Sequence, residues 1–331
     1  MFIILRNFLV LLTFAPFTVW ALSEEHFIRN VDASAGGKLI VDVDFGSIDV
    51  ASGADDKVAV EAHRKIDFDD ESKEKEFLDN APITLTKDGN MVTIRSRGKN
   101  PVHWNFHHQE MDAKYTVRIP KKFEVGLRTS GGAISVSDIV GDLKANTSGG
   151  RMTFARLEGV LDAQTSGGAV EVQECKGPID IETSGGRIKV ADGKGRLKAH
   201  TSGGGVEVRN FSGDTEVGTS GGGLNLEKIS GKVVGKTSGG GIKASIPGAV
   251  LGDVKLETSA GNIDLSVPAN AALTFDARTS VGEVVSRLPI QATEADREKL
   301  RGTLNGGGKS VRLETSVGNI TIKSAAELAG R

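Results

Sequence analysis

The sequence predicts an all-β fold, a β-solenoid of stacked 18-residue coils with two short strands in each. Three observations carry the prediction. Thr-Ser-Gly-Gly begins at Thr129, Thr147, Thr165, Thr183, Thr201, Thr219 and Thr237, always 18 residues apart; related steps follow at Thr258, Thr279 and Thr315 after 21, 21 and 36 residues. Between these steps apolar and polar side chains alternate, the period-two signature of a half-buried strand. Glycine is abundant, at 43 of 331 residues, while aromatic residues make up 5%, which suits a thin core with many turns.

From the start of the chain, residues 1–21 read as an export signal. Arg6 supplies the positive charge, Phe8–Phe17 is nearly all apolar, and Val19-Trp20-Ala21 fits a small-x-small cleavage step. The apolar run is shorter than the about 20 residues a membrane-spanning helix needs. The chain is therefore expected in the periplasm or at the cell surface, and not to span a membrane after cleavage. Residues 22–128 are expected to form an N-terminal cap and the early coils. Lys38–Val50, Val58–Ile66, Ile83–Thr86, Met91–Arg95 and Tyr115–Ile119 alternate; Asp69–Asn80 is charged and favours a short helix; Asp88-Gly89-Asn90 is a hairpin turn signal. A cap is needed because an open sheet end invites further pairing.

Residues 129–323 carry the regular coils. With each Thr as position zero, positions five and seven are apolar, as in Ile188 and Val190, Val206 and Val208, Leu224 and Leu226. Positions fourteen and sixteen are apolar or small, as in Leu161 and Ala163, Ile179 and Ile181; position twelve is glycine from Gly141 to Gly231. Two strands of about five residues cannot close a core alone, but stacking lets each pair with its counterpart about 4.8 Å along the axis, giving a rod of about 50 Å. The crossover rule predicts right-handed coils. Outward positions often set opposite charges side by side: position six runs Glu171, Lys189, Glu207, and position fifteen runs Lys144, Asp162, Asp180, Lys198. The structural corners are read as Thr129 and Gly131, Thr147 and Gly149, Thr165 and Gly167, Thr183 and Gly185, Thr201 and Gly203, Thr219 and Gly221, Thr237 and Gly239. The glycines would supply positive φ, and the threonine hydroxyls, facing inward, would bond the neighbouring coil. Thr293–Arg301 looks helical, with Thr293 as its cap. Gly306–Gly308 returns the chain to strands at Val311–Glu314 and Asn319–Ile322, before a tail at 324–331.

Two stretches resemble a known family. Tyr115-Thr-Val-Arg-Ile-Pro120, continuing into Val125-Gly-Leu-Arg-Thr129-Ser-Gly-Gly-Ala-Ile-Ser-Val136, is similar to the bacterial "putative adhesin" domain of the toast-rack superfamily. So is the close, Gly302-Thr-Leu-Asn-Gly-Gly-Gly308 followed by Val311-Arg-Leu-Glu-Thr315-Ser-Val-Gly-Asn-Ile-Thr-Ile322. The likeness extends from about residue 27 to 323. It implies a solenoid-like stack of strands in a cell-envelope protein, some members being linked to envelope-stress systems, and it carries over no catalytic residues. This chain departs in its strict 18-residue coils and in having no anchoring helix after the signal.

Candidate chemistry is sparse. Lys and Arg number 41 against 43 Asp and Glu, which speaks against a nucleic-acid binder. Cys175, the single cysteine, cannot form an internal disulfide and reads as a small buried hydrophobe. The richest cluster is His103-Trp104-Asn105-Phe106-His107-His108. His103, His107 and His108 are weak candidates for a metal, and Trp104 and Phe106 for stacking on a sugar ring, but the segment reads first as an exposed loop. No Asp follows the glycine pairs, as a calcium β-roll needs, and no Lys-Ser or Lys-Thr follows them, as a phosphate loop needs. No cofactor is therefore expected. The expected function is non-enzymatic: an adhesin-like or scaffold surface for an envelope polysaccharide or protein. The alternatives are a carbohydrate-active enzyme near His107 and Glu110, or an envelope-stress signalling partner.

Overall fold

A computed structural model describes residues 23–68, 70–98, 110–248 and 252–325 of the chain. It is a two-sheet β-solenoid, one sheet of 14 strands and one of 15 among these residues. The central strands of the 15-stranded sheet run from Phe123–Arg128 through Leu143–Thr147 to Val233–Thr237, all parallel. Those of the 14-stranded sheet run from Ile134–Ser137 to Ile242–Ser245, again parallel. Register is like to like: Ile188 stands beside Val206, and Val206 beside Leu224, all three buried. The inner faces of both sheets meet in one apolar layer along the axis.

Three features shape each coil. Positions five and seven fill the core from one sheet; fourteen, sixteen and the threonine fill it from the other. A third inward rung sits at the corner between them, at Ile139, Leu157, Cys175, Phe211 and Ile229. The residue before each rung, from Asp138 to Lys228, holds a left-handed φ of 51–64°, which shifts the alternation by one and turns the next side chain inward. In this row Gly193 leaves room for a ring: a Cβ there would lie 2.6 Å from Phe211.

The threonine-glycine corner works differently from the sequence expectation. Its glycines are not among the positive-φ residues of the described chain. The requirement is steric, and it falls on the second glycine of each pair. A Cβ at Gly132, Gly150, Gly168, Gly186, Gly204, Gly222 or Gly240 would lie 1.7–2.2 Å from a carbonyl oxygen of the adjacent coil. At the first glycine the nearest atom is 3.4 Å away or further. Positive φ belongs instead to position twelve, where Gly141 to Gly231 hold φ between 109° and 154°.

Both ends of the rod are threaded rather than stacked in chain order. Gly37–Val43 lies between Phe123–Arg128 and Met91–Ser96, and Ser47–Ser52 lies between Ile134–Ser137 and Glu110–Ile119. At the other end Lys309–Val317 lies between Val254–Ala260 and Leu273–Val281, and Ile320–Ser324 between Ile263–Val267 and Val284–Ser286. The first and last coils are thus each wedged inside the sheet ends, with one to three strands beyond them.

Antiparallel strands close three of the four sheet ends, and Val284–Ser286, parallel to Ile320–Ser324, forms the fourth. Ser23–Asp32 pairs with Lys57–Asp67, which pairs with Glu110–Ile119; Thr84–Asp88 forms a hairpin with Met91–Ser96 across Gly89-Asn90. Helix Glu71–Asn80 starts at its N-cap, Asp70, which accepts from the Ser72 amide at 2.9 Å, and buries Phe77 against Phe68. Buried Arg64 ties this cap together, donating to the Ala81 carbonyl at 2.6 Å, to Ser96 Oγ at 3.0 Å and to the Glu25 carboxylate. At the far rim the segment expected to be helical is a β-hairpin, Gln291–Ala295 against Lys299–Leu304, laid on Leu273–Val281. No described helix is long and apolar enough to cross a membrane.

Candidate functional site, a polar groove along the serine corner

Each strict coil places three residues in the same order at one corner: an outward-facing residue, a side chain in every strict coil but that of Gly218, then the buried threonine and an exposed serine. The order follows from strand alternation, since the residue before an inward threonine must face out. The threonine fixes the corner. Thr201 Oγ1 donates to the Gly186 carbonyl of the preceding coil at 2.8 Å and accepts from the Gly204 amide at 3.3 Å. The donor bond recurs at all ten threonines from Thr129 to Thr315. The seven predicted threonines are therefore buried, hydrogen-bonded rungs, and their first glycines lie on the bend beyond them.

Because these corners are locked, the side chains flanking them form rows. The outward residues run Arg128, Asn146, Gln164, Glu182, His200, Gly218, Lys236 and Glu257, each beside the next in register. The serines keep the same step: the Ser166 amide bonds the Ser148 carbonyl at 3.1 Å, and the Ser184 amide bonds that of Ser166 at 3.1 Å. The space above the rows is an open trough in two lengths. One, of about 630 Å³, runs from Arg128 to Ser202. The other, of about 800 Å³, runs from Glu182 to Ser316. Glu182 and His200 line both, so the two lengths are continuous. At the join the His200 ring leans over Gly218, where a Cβ would lie 2.8 Å from Nδ1.

The chemistry of the trough is hydrogen bonding with balanced charge. One half presents amides and hydroxyls: Asn146, Gln164, Ser148 and Ser166. In the other half carboxylates meet cations: Lys236 lies 3.3 Å and Lys255 2.7 Å from Glu257, and Lys198 lies 3.7 Å from Glu182. Burial alone would raise the Glu257 carboxyl, but the hydrogen bonds from Lys255 and Lys236 outweigh it and hold the group below the usual carboxylate range. Such groups anchor polar ligands; a general acid needs a raised carboxyl instead.

His103, Trp104, Phe106, His107 and His108 lie outside the described residues. Cys175 is free and buried, and burial pushes its thiol up from the ordinary value. Neither the trough nor the buried Arg64 was identified from the sequence. The signal for the trough was present, as a polar residue before nearly every repeat threonine and a serine after it.

Among curated proteins none matches the sequence. Similar solved structures include a "putative adhesin" from Bacteroides fragilis, at 13% identity over 91% of this chain and 98% of that one, TM-score 0.33. A "putative cell adhesion protein" from Clostridium sporogenes is 12% identical over 91% and 100%, TM-score 0.24. A "putative adhesin" from Parabacteroides distasonis is 10% identical over 91% and 97%, TM-score 0.27. The family profile described as Toastrack DUF4097 matches residues 38–323, nearly the whole of the described chain, and the protein belongs to that family.

Proposed function

We propose that this protein is an exported, non-enzymatic binding protein of the cell envelope whose trough holds an extended envelope polysaccharide. The observation that carries the reading is the row structure. Hydroxyls, amides and charged tips repeat at the coil spacing of about 4.8 Å along one continuous corner. A linear polymer with hydroxyls at regular intervals can meet such a surface at many points. Each hydrogen bond is worth only about 0.5–1.5 kcal/mol net, so affinity grows with the number of coils engaged. The serine hydroxyls are exposed, so a ligand need not break protein contacts to reach them. The signal-like sequence of residues 1–21, a positive charge followed by an apolar run, supports the envelope setting.

Pull-down with isolated cell-wall polysaccharide tests this reading. The wild-type chain should be retained, and a Ser166→Lys, Ser184→Lys, Ser202→Lys variant, which crowds the trough without touching the core, should be released. Equal retention of the two would remove the trough as the binding surface.

A further inference from the structure

We propose that the outer face of the N-terminal cap carries a binding site for a divalent first-row transition metal ion, formed by Glu24, His26 and His63. The backbone sets the site. Ser23–Asp32 and Lys57–Asp67 pair over ten consecutive residues, and this register puts His26 directly opposite His63. The rings lie 4.4 Å apart between centroids, tilted by 36°. Glu24 stands two residues before His26 and so shares its face. Its directly opposite residue is Lys65, yet its carboxylate turns toward the imidazoles: Oε2 lies 3.9 Å from Nε2 of His26 and 3.9 Å from Nε2 of His63.

The three side chains are within reach of a single ion. One ligand atom from each of the three residues can be chosen so that all lie within 4.8 Å of one another. A tetrahedral ion with bonds of about 2.0–2.1 Å sets its ligands about 3.3–3.4 Å apart. Closing from 3.9 Å needs small rotamer adjustments, and His26 and Glu24, being exposed, are free to make them. Two imidazoles and one carboxylate select zinc and its neighbours over magnesium or calcium, which prefer all-oxygen sites. Two His and one Glu also leave a position open for water or a further ligand.

The site has a structural consequence. Ser23–Asp32 is the edge strand of the 14-stranded sheet and is paired on one side only. An ion held by His26 and His63 would cross-link that edge strand to its neighbour, and pinning the first strand of the cap slows its fraying.

The test uses the full chain stripped with a chelator and then titrated with zinc chloride by calorimetry. One zinc ion should bind, with no matching heat from magnesium. A His26→Gln, His63→Gln variant should weaken binding by about 100-fold or more, and Glu24→Gln by about 10-fold or more. A His103→Gln, His107→Gln, His108→Gln variant should retain it, separating this site from the histidine-rich segment. In parallel, zinc at about 100 times its Kd should slow amide exchange in residues 23–32 by about 100-fold if opening of the strand breaks the site. Wild-type protein that binds no zinc, or a His26→Gln, His63→Gln variant that binds like wild type, overturns the proposal. So does loss of binding in the His103, His107, His108 variant alone.

Discussion

At the scale of single residues, one corner shows how little freedom the repeat has. Gly185 and Gly186 are adjacent and chemically identical, yet they answer to different constraints. A methyl at Gly186 would lie 1.8 Å from the Gly168 carbonyl oxygen, while at Gly185 the nearest atom is 3.6 Å away. Gly186→Ala should therefore cost at least the upper end of the about 1–3 kcal/mol typical of overpacking, and Gly185→Ala should be nearly silent. Chemical denaturation of the two variants checks this, and equal midpoints would show that the coils are not in close backbone contact. Thr201 gives a second prediction. Thr201→Val keeps the shape but leaves the Gly186 carbonyl and the Gly204 amide without their partner, a loss of about 1–3 kcal/mol. Ser202→Ala, one residue later and exposed, should stay within about 0.5 kcal/mol. The motif showed in the sequence that a tight corner recurs. It did not show which glycine is constrained, because close approach between coils involves partners 18 residues away.

At the scale of strands, alternation is the controlling fact. Val208 is fully buried between Val190 and Leu226, and Glu207 faces outward beside Lys189 and Asn225. Val208→Asp places an unpaired charge inside and should cost about 3–5 kcal/mol, whereas Glu207→Gln should change little; thermal melting distinguishes them. Charge ladders along the corner add a pH dependence. Asp138 is held at about 2, down from 3.8, chiefly by its hydrogen bonds from Arg156 at 2.7 and 2.8 Å. A carboxyl lowered in the folded state contributes stability above its unfolded value and loses it as pH falls through the folded one. The pair should thus stabilise the fold above about pH 4 and cease to do so by about pH 2, modestly, since both groups are well exposed. Denaturation midpoints of wild type and Arg156→Gln should differ near neutrality and converge at about pH 2; an undiminished gap would refute the assignment.

The strand scale also shows where local reading stops. Helix Glu71–Asn80 was legible because its charge run and N-cap are local. Thr293–Arg301 carries similar local signals but becomes a hairpin, because Leu273–Val281 presents an open edge that its backbone can satisfy. Of the expected charge pairs, Lys144 meets Asp162 at 2.7 Å and Lys198 meets Asp180 at 3.7 Å. Glu171 and Glu207 turn instead to Arg151 and Arg209, whose guanidinium groups reach them from neighbouring positions.

At the scale of the whole molecule, the regular coils and the two ends obey different rules. Every central coil contacts the next, 18 residues on, so that part of the fold is quasi-one-dimensional and was legible from periodicity alone. The ends are not. Ser47–Ser52 must find Ile134–Ser137, and Lys309–Val317 must enter between two strands formed earlier in the chain. Nothing in the local alternation of a wedged coil distinguishes it from a coil stacked in order. The result is a rod whose first and last coils are covered on both sides, with antiparallel strands at three of the four sheet ends. The trough runs along a corner where each strict coil adds one more serine and, at all but Gly218, one more polar side chain, so its length follows from the number of coils.

The central claim is that successive 18-residue coils lie in register along one axis. Spin-label distances along position six test it most directly, in a Cys175→Ala background. Pairs at Thr153 and Glu207, Thr153 and Asn225, and Ser135 and Lys243 span three, four and six coil steps of aligned residues. The distances should rise linearly, by about 4.8 Å per coil, to about 29 Å for the longest pair. A separation that fails to grow with the number of intervening coils would contradict the stack.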